Sequence, residues 1–239
     1  MNVHVFVDYD NVVGQERRKG LVYVAERILQ TIIHGASGLV APTRFAFRLY
    51  GGWYGGTTPT RLAQNLAVEI SAHFPRRSVI PTASPVTCLV GMELAYSLDI
   101  DPSRHLLHTY RRQGAIDDVS CRPPIAAGCT EAACALTSMH QFLTSGGCAM
   151  SGCAMTPADF LFRGQQKLVD TMLAADVIHL AHVNAEPLCV VTSDDDLWPA
   201  IKTALVLGRT VLHVQTRPGK RTPNFYSAGS GPLYLELVF

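Results

Sequence analysis

Carboxylates at the ends of apolar runs are the residues of this chain whose types and spacing could do chemistry. The first group closes Val5-Phe6-Val7-Asp8-Tyr9-Asp10-Asn11. The second and third are Asp170 and Asp176, in Lys167-Leu168-Val169-Asp170 and Ala174-Ala175-Asp176. The fourth closes Val190-Val191-Thr192-Ser193-Asp194-Asp195-Asp196. A buried strand that stops at carboxylates leaves them at a sheet edge, and in parallel α/β sheets ligands bind at the C-terminal strand edge. Carboxylates gathered there repel one another unless a cation or a proton intervenes. Magnesium favours carboxylate and water oxygens in octahedral geometry. Such an ion polarises a phosphodiester and acidifies the water that attacks phosphorus.

Roles within the set differ. Asp194 and Asp196 are two residues apart, so an extended segment points both to one side. Asp170 and Asp176 are six apart on a predicted helix and diverge around its axis. Asp170, nearer the helix start, is the better placed to reach the sheet edge, and Lys167 precedes it at pairing distance. Asn11 is positioned to hydrogen-bond a carboxylate, a water or a phosphate. Taken singly, each Asp also reads as a turn former or helix cap, with Asp196 placed to cap a helix starting at Leu197. That account does not explain Asp8 and Asp194 at apolar strand ends.

Strands and helices must alternate to bring these acids together. Residues 2–7, 43–50, 187–191 and 210–214 read as strands, and His105 to Arg111 as a further one. Helical spacing runs through 20–34, 60–73, Gln165 to Ala181, and Leu197 to Leu207, which Gly208 ends. Ser78–Ile80 and 86–98 carry no clear period. The stretch 216–232 is rich in Pro and Gly, and Leu233 to Phe239 reads as an added edge strand. Apolar strands alternating with helices predict a mostly parallel sheet covered on both faces.

The chain has 239 residues, 48% apolar and 16% charged, which supports a packed core and excludes wholesale disorder. A net charge of +1 gives no global basic field, but arginine outnumbers lysine, which favours bidentate phosphate contacts. Arg209, Arg217, Lys220 and Arg221 follow the last acidic group and form the expected phosphate-gripping rim. Trp53 and Tyr54, on a Gly-rich turn, are candidates to stack on bases. His4 and His213 read as core histidines. No secretory signal and no run of transmembrane length is visible, so the expectation is a cytoplasmic protein without a membrane partner.

The acidic segments resemble the three motifs of NYN-domain proteins, which belong to the PIN-like nucleases. Val7-Asp8-Tyr9-Asp10-Asn11 resembles Asp-x-x-Asn. Lys167-Leu168-Val169-Asp170, with Asp176 after it, resembles Lys-x-Val-Asp and a later Asp. Thr192-Ser193-Asp194-Asp195-Asp196-Leu197-Trp198-Pro199 resembles Ser-Gly-Asp-Ser-Asp-Phe-x-Pro. The resemblance implies a three-layer PIN-like α/β fold and Mg²⁺- or Mn²⁺-dependent cleavage of RNA by an endoribonuclease. Asp8, Asp170, Asp194 and Asp196 would be the metal-site acids, Asn11 a supporting residue and Asp176 another. The chain departs from the family pattern at Ser193, where Gly is usual, at Leu197, where Phe is usual, and at Leu168, where Gly is frequent. None of these removes a carboxylate.

Two other readings compete. The first motif also resembles that of HAD-type phosphatases, with Asp8 as nucleophile and Asp10 as acid/base, but Trp198 stands where that family's last motif needs a second acid. A non-catalytic RNA-binding NYN protein is the third. The oligomeric state is open, a homodimer among the arrangements allowed.

Residues 113–157 break the strand–helix pattern and read as an insertion, rich in Cys, Gly and Ala, within a single domain. Its pairs Cys129/Cys134 and Cys148/Cys153 could hold a structural zinc, although four intervening residues is at the loose edge of knuckle spacing. Cys121 and His140 lie nearby, and buried unligated thiols are the plainer account. Seven cysteines without a secretory signal argue against a disulfide framework. Cys88 and Cys189, in apolar runs, read as core residues.

Overall fold

The computed structural model describes residues 2–36, 43–113, 121–131, 134–161, 163–166, 168–217 and 231–239. The elements of the first part are β1 (Asn2–Asp8), α1 (Gly14–Arg17), α2 (Leu21–Gly35), β2 (Arg44–Tyr50), β3 (Tyr54–Gly55), β4 (Thr58–Pro59), α3 (Arg61–His73), β5 (Arg76–Ile80), β6 (Val86–Leu94), β7 (Ser97–Leu98) and β8 (Asp101–His105). Then follow β9 (Tyr110–Gln113), α4 (Ala135–Ser145), α5 (Pro157–Phe160) and β10 (Arg163–Gln166). The chain closes with α6 (Val169–Val183), β11 (Leu188–Val191), α7 (Trp198–Val206), β12 (Val211–Gln215) and β13 (Tyr234–Val238).

Two compact units result: Met1–Tyr110 with Gln166–Phe239, and Arg111–Gln165. The second contains the stretch read as an insertion, and its helices α4 and α5 bury no residue.

In the first unit a seven-stranded sheet runs in the order β13-β12-β11-β1-β2-β6-β5. Every neighbouring pair is parallel except β5 against β6. The central strands are apolar on both faces because helices cover both. Val3, Val5 and Val7 of β1 pack with Leu21, Val24, Ile28 and Leu29 of α2 and with Ala63 and Leu66 of α3. Phe6 faces the other way, into a cluster with Val169, Met172, Leu173 and Val177 of α6 and Ile201 and Ala204 of α7. The architecture is therefore α/β in three layers, with a mostly parallel central sheet.

Three boundaries differ from expectation, each for a local reason. Helix α6 starts at Val169 rather than Gln165, because Leu168 takes a left-handed conformation with φ of 69° that cannot continue a helix. Leu168 is therefore an exposed turn residue and not part of the helix's apolar face. The strand expected over 105–111 is split into β8 and β9, with His108 at φ 58° and its N–H bonded to the Gly56 carbonyl at 2.8 Å. β5 and β6 carry no clear period in sequence because apolar Val79 faces outward, 61% exposed, while polar Ser78 is buried.

Candidate metal centre

β1, β11 and β12 all end at the same sheet edge, because they are parallel and in register: Val7 pairs with Val191, and Val191 with Val214. Asp8 is the last residue of β1, and Asp194 follows β11 by three residues. The α6 helix begins at this edge, and Asp170 lies in its first turn. Asp8, Asp170 and Asp194 each offer a carboxylate oxygen within 4.8 Å of the other two. Among the described residues this is the only group of three or more His, Cys, Asp or Glu side chains so arranged.

Asp8 is 3% exposed. Its Oδ2 accepts from the Asn11 amide at 2.5 Å and from the Thr192 hydroxyl at 2.9 Å. Among the described residues its Oδ1 receives only the Asn11 N–H, at 3.3 Å, and keeps acceptor capacity. Burial pushes the Asp8 carboxyl up from 3.8 to about 6, against the lowering effect of Asn11 and Thr192, and the nearby Asp170 charge adds to the rise. Asp170 is the exposed member of the three, yet its carboxyl is likewise raised, first by desolvation and then by the charges of Asp194, Asp196 and Asp10. Among the described residues no Lys, Arg or His forms an ion pair with any of the three acids.

Thr192 is fully buried and couples two of the acids. Besides donating to Asp8, its oxygen accepts the Asp194 N–H at 3.0 Å. Asp194 in turn caps the Asp195–Leu197 turn through the Asp196 N–H, at 2.9 Å. The cap expected from Asp196 is not made: α7 starts at Trp198 behind Leu197 with no side-chain cap, and Asp194 caps only the short turn before it. Asp196 is exposed and stands outside the three-acid group, because the turn that Asp194 caps carries it away; only its charge reaches Asp170.

Asp176 does not support the centre either. It is fully buried two helical turns from Asp170 and accepts from the Tyr50 hydroxyl at 2.8 Å, Arg48 Nε at 3.2 Å and the Asp99 N–H at 2.8 Å. It pins α6 to β2 and to the segment after β7. Asp10 flanks the centre with both oxygens engaged, by Arg17 at 2.9 Å and by the Gln166 amide.

Of the expected basic rim, Arg217 follows β12 to the acidic edge. Its N–H donates to Ser193 Oγ at 2.7 Å and its guanidinium to the Asp10 carbonyl at 3.2 Å. Arg209 precedes β12 and so sits at the opposite edge, bonded to the Ala181 carbonyl at 2.6 Å. Lys220, Arg221 and Lys167 lie outside the described residues.

Trp53 is fully buried and donates to the Leu49 carbonyl, and Tyr54 is 7% exposed, so neither offers a ring face to a base. His213 is buried as expected, whereas His4 is partly exposed and bonded to Glu186. Cys88 and Cys189 are buried. Cys129, Cys134, Cys148 and Cys153 are free thiols, and no three of them bring sulfurs within 4.8 Å of one another.

None of the family models, curated proteins or solved structures compared with the chain matches it. The geometry of the acids therefore stands on its own.

Two residues of the site escape a reading from sequence, Thr192 and Gln166. The only signal for Thr192 is a hydroxyl between a strand end and Asp194. Gln166 becomes a partner of Asp10 through the tertiary fold alone.

Proposed function

We propose that the chain is a metal-dependent ribonuclease, with Asp8, Asp170 and Asp194 holding Mg²⁺ or Mn²⁺ at the C-terminal edge of the sheet. The observation that carries this reading is the convergence of three carboxylates, from three separate segments, within 4.8 Å. Two of them are raised by desolvation and mutual charge, and among the described residues no cationic side chain pairs with them. The donor set is all oxygen, which fits hard divalent cations better than zinc. The resemblance of these segments to NYN motifs supports a PIN-like fold and RNA as the substrate.

A bound cation supplies Lewis-acid polarisation of the phosphodiester and a more acidic water. The chain's own groups supply position. Asn11 and Thr192 occupy Asp8 Oδ2 and leave Oδ1 with spare acceptor capacity. The Asp196 N–H fixes Asp194. Arg217 brings a guanidinium to the rim, where phosphate oxygens would lie. No side chain needs to form a covalent intermediate.

The phosphatase alternative requires a free Asp10 as acid/base, and the partners Arg17 and Gln166 weigh against it. The test is cleavage of end-labelled single-stranded and structured RNA. Cleavage with Mn²⁺, lost with EDTA and in Asp194→Asn, supports a ribonuclease. RNA binding without any cleavage supports the non-catalytic reading, and phosphate release through an aspartyl-phosphate supports the phosphatase.

A further inference from the structure

Burial of Trp53 and Tyr54 leaves a different aromatic surface at the same sheet edge. Tyr54 follows β2 and Tyr96 follows β6, and both strands run parallel to β1. β6 is two strands from β1 in the sheet. That offset is about 10 Å at the usual strand spacing.

The Tyr54 hydroxyl and Nδ1 of His105 are hydrogen-bonded at 2.6 Å. The Tyr96 ring stacks on the His105 imidazole with centroids 5.3 Å apart and planes at 25°. Tyr54 meets Tyr96 edge-on at 5.4 Å. The Leu106 N–H donates to the Tyr96 carbonyl at 2.7 Å and holds the end of β8 in place. His105 is thus fixed by two other rings and yet exposed.

Tyr110 pairs with Gly55, the residue after Tyr54. Its Cβ lies against Gly52, where an added side-chain carbon would come within 3.1 Å of it and 3.4 Å of Gln166 Cγ. Gln166 is the residue whose amide reaches Asp10. Tyr110 is 38% exposed. Arg104, next to His105, has an 88% exposed side chain whose ion pair with Asp101 is long, at 3.9 Å.

A ring exposed on one side and locked on the other presents a flat π face with little ordering cost, which suits stacking of an unpaired base. We infer that Tyr110 and His105, the latter backed by Tyr96 and Tyr54, form a nucleobase-stacking path for single-stranded RNA leading away from the acidic centre. The inference rests on the ribonuclease reading for the identity of the strand, while the rings themselves are independent of the acids.

The test measures binding of 5′-labelled single-stranded RNA by fluorescence anisotropy, in an Asp194→Asn background that cannot cleave. His105→Ala and Tyr110→Ala each raise Kd about ten-fold, and His105→Trp restores it. Moving a single abasic nucleotide along the RNA finds one position that weakens binding to the parent chain but adds nothing to His105→Ala, as expected of two partners in one contact. Unchanged Kd in both alanine variants overturns the path, as does strictly additive loss at every abasic position or absence of RNA binding. Mn²⁺-dependent cleavage by the native chain with unaltered Kd in the variants removes the path and keeps the ribonuclease. Ring-dependent binding without cleavage keeps the path and removes the ribonuclease.

Discussion

The Thr192 hydroxyl donates to Asp8 Oδ2 at 2.9 Å while its oxygen accepts the Asp194 N–H at 3.0 Å. One small side chain, 184 residues from Asp8 in sequence, therefore ties together acids that follow two different strands. All of this takes place in a fully buried position, where a lost partner is not replaced by water.

Replacing Thr192 by Val removes both bonds and keeps the volume. It should cost about 1–3 kcal/mol of stability, read from urea unfolding, because the Asp194 N–H and Asp8 are left short of partners. Thr192→Ser should recover most of the loss. Full stability in Thr192→Val with the loss confined to Thr192→Ser would mean that packing of the methyl group, and not the hydroxyl, is what matters.

Asp8 makes stability depend on pH. Its carboxyl is raised to about 6 in the folded chain from an ordinary 3.8, so the folded state holds that proton more tightly than the unfolded one. The contribution is fully present below pH about 3.8 and is lost as pH rises through about 6. The full swing is about 3 kcal/mol, since each tenfold difference in proton affinity between the two states corresponds to about 1.36 kcal/mol. With EDTA present, wild type should lose stability relative to Asp8→Asn between about pH 4 and pH 7, and saturating Mn²⁺ should flatten the difference. A difference that grows in the opposite direction would show that Asp8 is ionised at low pH.

Asp176 is a structural acid by the same kind of reasoning. Its removal leaves Arg48 and the Tyr50 hydroxyl without their buried partner. Asp176→Ala should cost about 3 kcal/mol. Mn²⁺ uptake by the fraction that remains folded should be unchanged. Loss of uptake at unaltered stability would place Asp176 in the centre after all.

Leu168 holds a left-handed backbone at the start of α6 with its side chain half exposed. Glycine adopts that conformation without the side-chain penalty of about 1–2 kcal/mol, though it surrenders about 0.5–1 kcal/mol of chain entropy. Leu168→Gly should thus raise stability by up to about 1 kcal/mol, or a few degrees in Tm. A drop in Tm would mean that the leucine side chain contributes contacts worth more than the strain.

The parts of the fold that can be read in the sequence are those where one physical signal dominates. Apolar runs ending in acids locate β1 and β11, and with them Asp8 and Asp194. Helical spacing locates α2, α3 and α7 to within a residue or two. Asp170 is separable from Asp176 by its place near the helix start. What cannot be read depends on tertiary contacts. Asp196 turns away because its own N–H is held by the Asp194 carboxylate, a choice between two nearby acids that composition does not decide. Trp53 lies in a Gly-rich turn yet is buried, because the turn folds back over the β2 end and the indole donates to Leu49. The paired cysteine spacing carries no information about whether the sulfurs meet. His105 and Tyr110 have no distinguishing pattern around them in the chain, since their exposure is set by Tyr54, Tyr96 and Gly52.

The central claim is that Asp8, Asp170 and Asp194 together hold a divalent cation. Electron paramagnetic resonance of Mn²⁺ titrated into the full chain tests it directly, since bound and free ion are separately visible. Saturable binding that is lost in Asp170→Asn and in Asp194→Asn, but kept in Asp196→Asn, is the predicted result. Mn²⁺ that stays free, or that binds equally well when Asp8, Asp170 and Asp194 are all changed to Asn, contradicts it.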